Sequence, residues 1–343
     1  MQYLKNLSYD ELKTWLLEQG EKPFRADQIF YWLYQRAVDD FDKFTDLGLD
    51  LRRKLKSAFE LSSLHIAKKL ASALDTTEKY LLGLRDGNAV ESVIMPYDNR
   101  CTICVSTQVG CSFHCTFCAS GKRGLIRNLE TAEILDQVSI GRQIGHPITH
   151  VVFMGMGEPL DNFDNLIKAI RILNHPKAFN IGARRITIST CGIPEGIKKL
   201  SLLDWQIELS ISLHGPNSEI RNRLMPVNKK YPLAVLMKAV KEYIKKTDRQ
   251  VTFEYTLIKD INSSDANALE LAELLRELNC KVNLIPFNVS SVVGKAGIPA
   301  SVKGAKVFQS ILTRNGIKST IRNSRGADIS AACGQLSAQH KLL

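Results

Sequence analysis

The chain has 343 residues, 44% of them hydrophobic and 24% charged, with a formal net charge of +11. These proportions are ordinary for a globular protein, and the length suits a large α/β domain with an appendage. No run of about eighteen apolar residues marks a membrane span, and Met1 to Trp15 mixes Lys5, Asp10, Glu11 and Lys13 with its apolar residues, so no secretory leader is expected. A cytoplasmic protein follows, its eight cysteines mostly reduced, and its basic excess suits a polyanionic partner without specifying one.

Residues 1–60 read as a helical unit: Tyr9 to Glu18, Ala26 to Arg36 and Leu49 to Phe59, broken at Gly20, Pro23 and Gly48. Ile29, Phe30, Leu33 and Tyr34 form a core face at helical spacing. Arg52, Arg53, Lys54 and Lys56 crowd the third helix, either as a solvated face or as a surface for phosphates. Residues 61–100 read as a β-hairpin extension, with Lys79 to Arg85 and Ala89 to Met95 around the turn Asp86-Gly87-Asn88.

Over residues 101–343 strands and helices alternate. Strand-like runs occur at Cys101–Thr107, His150–Met154, Arg185–Thr190, Gln206–Leu213, Val251–Ile258 and Val282–Phe287. Between them, Phe163, Leu166, Ile167 and Ile170 form one amphipathic face; Leu236, Val240, Tyr243 and Ile244 another; Ala268, Leu271, Ala272 and Leu275 a third. Six βα units in succession imply a parallel sheet, open or curled into a partial barrel, with chemistry at the strand C-termini. The unusual residues all fall at that end: a cysteine loop after the first strand, Gly155-Met-Gly157-Glu158-Pro159 after the second, Ser189-Thr190, then Ser212-Leu213-His214, then Asn288.

The cysteine loop, Cys111-Ser-Phe-His-Cys115-Thr-Phe-Cys118, places three thiols at the spacing C-x3-C-x2-C. Three thiolates can each bind one iron of a [4Fe-4S] cluster, and the next cysteine is the distant Cys191, so the fourth iron stays open to another ligand. A structural zinc site would need a fourth ligand that this stretch does not supply. Gly155-x-Gly157-Glu158 lacks the third glycine and the lysine of phosphate-binding loops. Cys101 and Cys104 form a nominal C-x2-C pair, of which Cys101 reads as a structural strand residue. Cys191 and Cys280 read as core thiols, and His65, His114, His146, His150, His175 and His340 as surface or satisfied core groups.

The C-x3-C-x2-C spacing resembles the signature of the radical S-adenosylmethionine (SAM) superfamily, in which the open iron chelates SAM and a glycine-rich turn ending in Glu meets its amino group. Further stretches narrow the resemblance: Cys104-Val-Ser-Thr-Gln-Val-Gly-Cys111, Arg127-Asn-Leu129, Met154-Gly-Met-Gly-Glu-Pro-Leu160, Ser212-Leu-His214, Leu224-Met-Pro226 and Ala331-Ala-Cys333-Gly-Gln-Leu336. Over nearly its whole length the chain resembles the radical SAM RNA adenine-C2 methyltransferases, dual-specificity enzymes acting on 23S rRNA and on tRNA.

That resemblance implies a partial (βα)6 barrel with an N-terminal helical domain and a hairpin extension. It implies Cys111, Cys115 and Cys118 as ligands of one [4Fe-4S] cluster, and Gly157, Glu158, Ser189, Ser212, Leu213, His214 and Asn288 as contacts to SAM, used twice per turnover. Cys333 would accept a methyl group, Cys104 would be its thiol partner and Glu91 the acid–base residue. RNA, an electron donor such as flavodoxin or ferredoxin, a monomeric state and no membrane are implied as well. Adenine C2 is electron-poor and cannot attack the methyl of SAM directly, so the family activates the methyl on a cysteine and passes it on as a carbon radical. Three alternatives stay open: a C8-specific rRNA methyltransferase of the antibiotic-resistance type, against which Pro159 leans; a radical SAM enzyme on a peptide or small molecule; and an RNA-binding protein with structural zinc.

Overall fold

The structure, a computed structural model, describes residues 1–289 and 297–338; His340 and the end of the expected barrel unit lie outside them. Its centre is one ten-stranded sheet whose strands are neighbours in chain order: β1 (Leu64–Ala71), β2 (Glu78–Leu84), β3 (Ala89–Tyr97), β4 (Arg100–Cys104), β5 (His150–Phe153), β6 (Ile186–Thr190), β7 (Glu208–Ser212), β8 (Val251–Leu257), β9 (Cys280–Pro286) and β10 (Ser319–Ile321). β1 to β4 pair antiparallel and β4 to β10 parallel. Among the described residues β1 and β10 do not pair, so the parallel half is an open, partial barrel. The hairpin β2–β3 is continuous with that half, because β3 pairs with β4 from Val93 against Cys104 to Tyr97 against Arg100.

Three helices precede the sheet: α1 (Tyr9–Glu18), α2 (Arg25–Phe30) and α3 (Leu49–Ala58). Six cover the parallel half: α4 (Thr131–Gln143), α5 (Phe163–Asn174), α6 (Pro194–Leu200), α7 (Leu233–Thr247), α8 (Asp265–Leu275) and α9 (Val302–Arg314). α1 begins at a capping box, Ser8 Oγ accepting from Glu11 N while Ser8 N donates to Glu11. The apolar faces read on α5, α7 and α8 are buried at Leu166, Ile167, Ile170, Leu236, Val240, Tyr243, Ala268, Leu271, Ala272 and Leu275. β8 is buried along all seven residues, as a parallel strand covered on both faces should be.

Two differences from the sequence reading concern the helical unit. The helix expected to run to Arg36 widens at Tyr31–Gln35 into a π-turn, with Arg36 N donating to Tyr31 O at 3.0 Å, and Leu33 and Tyr34 stay buried there. The unit also shares its core with the barrel. Lys5 and Asp136 of α4 form a buried ion pair, Arg142 Nη1 donates to Tyr34 O at 3.0 Å, and the rings of Tyr34 and Phe179 lie 5.0 Å apart. The basic run on α3 is mostly engaged locally: Arg52 donates to Asp42 O, Lys54 to Gln19 O, and Lys56 and Arg53 pair with Asp42 and Asp50.

Candidate active site

Every parallel strand from β4 to β9 delivers a polar residue or loop to one cavity at the sheet's C-terminal edge, about 1020 Å³ counted to its open mouth. After β5 the chain turns tightly beneath the segment that leaves β4. Gly157 has φ of +96°, and a Cβ there would stand 2.5 Å from Gln108 Cβ, so glycine alone permits the approach. Gln108 Oε1 then accepts from Glu158 N at 2.8 Å. The Glu158 carboxylate is buried, accepting from Leu160 N at 3.0 Å and Cys191 N at 2.7 Å. Burial raises its pKa, while those hydrogen bonds oppose the rise. It is an acceptor suited to an ammonium group on a ligand.

The cysteine loop is held from three sides. At Gly110, φ is +80° and a Cβ would meet Gly124 O at 1.8 Å. Cys111 N donates to that same oxygen at 3.1 Å, Thr116 N to Leu224 O at 2.9 Å, and Ala119 N to Gly334 O at 2.8 Å. His114 turns its Nδ1 to Gly121 O, 2.8 Å away, and serves the loop's shape. Cys111, Cys115 and Cys118 are half-buried and line the cavity together. Burial pushes the Cys111 thiol up to about 12 and that of Cys115 well above its usual value, and mutual repulsion among the sulfurs adds to this. The three thiols line the same cavity and their spacing supplies one thiolate to each of three irons, so the donor set fits a [4Fe-4S] cluster.

Of the residues expected to contact SAM, Gly157, Glu158, Ser189, Ser212, His214 and Asn288 line this cavity. Leu213 does not: its side chain is fully buried and its carbonyl accepts from Arg221 Nη1 at 2.6 Å. His214 sits in the left-handed region and takes Thr256 N on Nδ1 at 3.0 Å, leaving the proton on Nε2. Burial, helped by the nearby Arg221 charge, lowers its pKa to about 3, so the imidazole is neutral. Arg221 itself is fully buried, with Ser212 O, Leu213 O and Cys191 O as acceptors. It ties the ends of β6 and β7 together behind the cavity, a role no motif in the sequence announced.

A second chamber of about 740 Å³ adjoins the first, and Cys333 lines both. Cys104, at the end of β4, lines only the second, so the two cysteines share that chamber. Cys104 is buried, which raises its thiol, with Cys333 in electrostatic reach; Cys333 is exposed to the chambers it lines, and the atoms crowding it and the Glu254 charge of β8 raise its thiol too. Cys101, three residues from Cys104 and thus on the other face of β4, is a buried strand thiol as read. Cys191 and Cys280 are buried too.

Glu91 lines neither chamber. It is buried in β3, paired with Lys79 at 3.0 Å, and accepts from Ser337 N at 2.7 Å and Ala338 N at 3.1 Å. Lys79 Nζ also donates to Ser330 O at 3.1 Å. This buried pair therefore grips the chain on both sides of Cys333, and Asn288 Nδ2 and Ser120 Oγ reach Cys333 O and Leu336 O at 3.3 and 2.7 Å. Lys79, Glu254 and Arg322, which shares the second chamber, escaped the sequence reading. Glu254 left a usable signal, a lone acid in the otherwise uncharged strand Val251–Leu257.

Comparison with known proteins agrees with this geometry. Residues 105–287 match the Radical SAM superfamily, and residues 3–61 match the Ribosomal RNA large subunit methyltransferase N-terminal domain. Fold and cysteine loop together make this a radical SAM protein. A radical SAM methyltransferase from Sphaerobacter thermophilus superposes with a TM-score of 0.94 at 42% identity, covering 99% of this chain and 100% of that one. The chain is 47% identical to a probable dual-specificity RNA methyltransferase RlmN of Caldicellulosiruptor saccharolyticus, covering 98% of this chain and 97% of that protein. It is 48% identical to the one of Geobacillus kaustophilus, covering 98% and 92%. The chain belongs to the RlmN family of dual-specificity RNA methyltransferases.

Proposed function

We propose that the protein methylates C2 of adenosine in RNA, in 23S rRNA at the peptidyl transferase centre and in tRNA at the adenosine 3′ of the anticodon. The observation that carries the reading is that Cys104 and Cys333 line one chamber beside the cavity of the cysteine loop. Cys111, Cys115 and Cys118 hold the [4Fe-4S] cluster, and Glu158, Ser189, Ser212, His214 and Asn288 hold SAM, two molecules being used per turnover. Bound there, cluster and SAM supply an electrophilic methyl group and a one-electron route to a carbon radical. Cys333 carries the methyl to the base; dividing one hard transfer into two through a covalent carrier is the purpose of such a cysteine. The Cys104 thiolate attacks Cys333 sulfur as the bond from that sulfur to the transferred carbon breaks; the electron pair stays on the carbon, which takes up a proton to become the methyl group, and the Cys104–Cys333 disulfide left behind is reset by a reductant.

Glu91 takes the ring proton, for which the Ser337–Ala338 backbone must first leave its carboxylate. A cytoplasmic monomer reduced by a flavodoxin or ferredoxin completes the reading. No helix among the described residues is long and apolar enough to cross a membrane. Hydrolysing RNA treated with the protein and separating 2-methyladenosine from 8-methyladenosine tests the position. The former alone is expected; the latter alone would overturn the assignment in favour of the C8 reaction.

A further inference from the structure

Cys333 must lose a proton when its sulfur takes a methyl group, and neither the cysteine loop nor Cys104 offers an acceptor. The cavity it faces has two carboxylates on its wall, Glu158 and Glu254. Glu158 is the acceptor assigned above to the ligand ammonium and does not line the second chamber. Glu254 lines both chambers, as Cys333 does, and is the charged group whose field Cys333 feels first. Its side chain is 5% exposed and held by Asn283, whose Nδ2 donates to Oε1 at 2.9 Å, and by the Ser210 hydroxyl. A carboxylate has about four lone-pair sites, so these partners leave it capacity to accept. Burial raises its pKa, against the opposing pull of Asn283, Arg322, Ser210 and Lys281, which brings its basicity nearer to that of a neutral-pH acceptor. Glu91 faces Lys79 and the Ser337 and Ala338 amides while the Cys333 loop is docked, so Glu254 is the carboxylate that shares both chambers with Cys333 in this arrangement.

We propose that Glu254 is the base that receives the Cys333 thiol proton as Cys333 is methylated. The inference rests on the function proposed above. In the step, a lone pair of Cys333 Sγ forms the new bond to the methyl carbon. The bond from that carbon to the sulfonium sulfur breaks, its electron pair staying on the departing sulfur. The S–H electron pair remains on Sγ while the proton passes to the Glu254 carboxylate. The products are a neutral thioether, a neutral leaving thioether and a neutral carboxylic acid; nothing is oxidised or reduced.

The test is E254Q, read two ways on cluster-loaded protein whose Cys333 begins as a free thiol. Transfer of a deuterated methyl from SAM to the Cys333 peptide, followed by mass spectrometry, is expected to slow by about 10²-fold. Alkylation of the same cysteine by iodoacetamide, which needs only the thiolate, is expected not to slow, because removing a neighbouring negative charge favours that thiolate. A group that merely acts through its charge, or merely supports the fold, would move both rates together. Methyl transfer in E254Q at or above the wild-type rate would overturn the proposal. E254D keeps an acceptor one methylene further back. It decides the matter alone if E254Q does not take up the cluster: methyl transfer by E254D supports the proposal, and a cluster-loaded E254D that transfers none overturns it. Wild-type protein that acquires no methyl on Cys333 would instead overturn the function above.

Discussion

Lys79→Met tests whether the buried pair in the hairpin holds the Cys333 loop. The substitution removes an ammonium whose side chain is 8% exposed, facing a carboxylate that is 9% exposed. It also removes the donor to Ser330 O. Breaking a buried pair by deleting one partner costs about 3–5 kcal/mol. Glu91 keeps two charge-assisted bonds, from Ser337 N and Ala338 N, which places the expected loss near the low end, about 3 kcal/mol. If the loop undocks as a unit, that energy corresponds to an opening population larger by about 10²-fold, at 1.36 kcal/mol per tenfold. Hydrogen exchange reads it directly, because the Ser337 and Ala338 amides are the ones Glu91 protects. Their exchange is expected to quicken by about 10²-fold while the amides of β8 keep their rates. Unchanged exchange at Ser337 and Ala338 would refute the account of the clamp. Replacing both partners, Lys79→Met with Glu91→Leu, is expected to recover part of the loss, because no buried charge is then left unpaired.

Cys333→Ala is expected to leave cluster absorbance intact and to abolish RNA methylation; methylated RNA from that variant would contradict the carrier role. Acid stability should depend on Glu78. Burial alone would raise its carboxyl, but hydrogen bonds from Lys69, Tyr80 and His146 outweigh it and bring the pKa down from 4.5 to about 2. A depressed carboxyl stabilises fully above its unfolded value and loses that contribution as pH falls toward its folded one. Stability on the order of 2 kcal/mol should therefore disappear between about pH 4.5 and pH 2, and Glu78→Gln should flatten that limb of a denaturation–pH profile. On α3, reversing Arg53 and Lys56 to Glu is expected to weaken RNA binding and lower the slope of its salt dependence. Equal affinity and slope would remove α3 from the RNA surface. Point reversals suit this question better than deletion of residues 1–60, which would strip Lys5 and Tyr34 from the shared core.

The legible parts of the fold were those with a period or a spacing. α5, α7 and α8 each bury one face and expose another, so their stripes could be read directly. α4 was not placed, because eleven of its thirteen residues are buried and no polar face marks it. β10 is three residues long, too short for alternation to show. β1, a third strand before the hairpin, carries Lys68 and Lys69 on an edge where charge is common and an apolar pattern weak. In the site, the cysteine loop and the Gly155–Glu158 turn were visible because neighbouring residues do the work. Glu254, Arg221 and Lys79 were hidden because each acts on residues distant in the chain, and only the folded chain brings β8 beside Cys333 or the hairpin beside Ser330 and Ser337.

Carriage of the methyl carbon to adenine C2 by Cys333 and release of the product by Cys104 are separable acts. Cys104→Ala, incubated with SAM, reductant and RNA, isolates that sequence at its covalent stage. A stable protein–RNA crosslink is expected, with digestion yielding one adduct that joins Cys333 sulfur through a single carbon to C2 of adenosine. Normal turnover by Cys104→Ala, or an adduct through another residue or ring position, would contradict it.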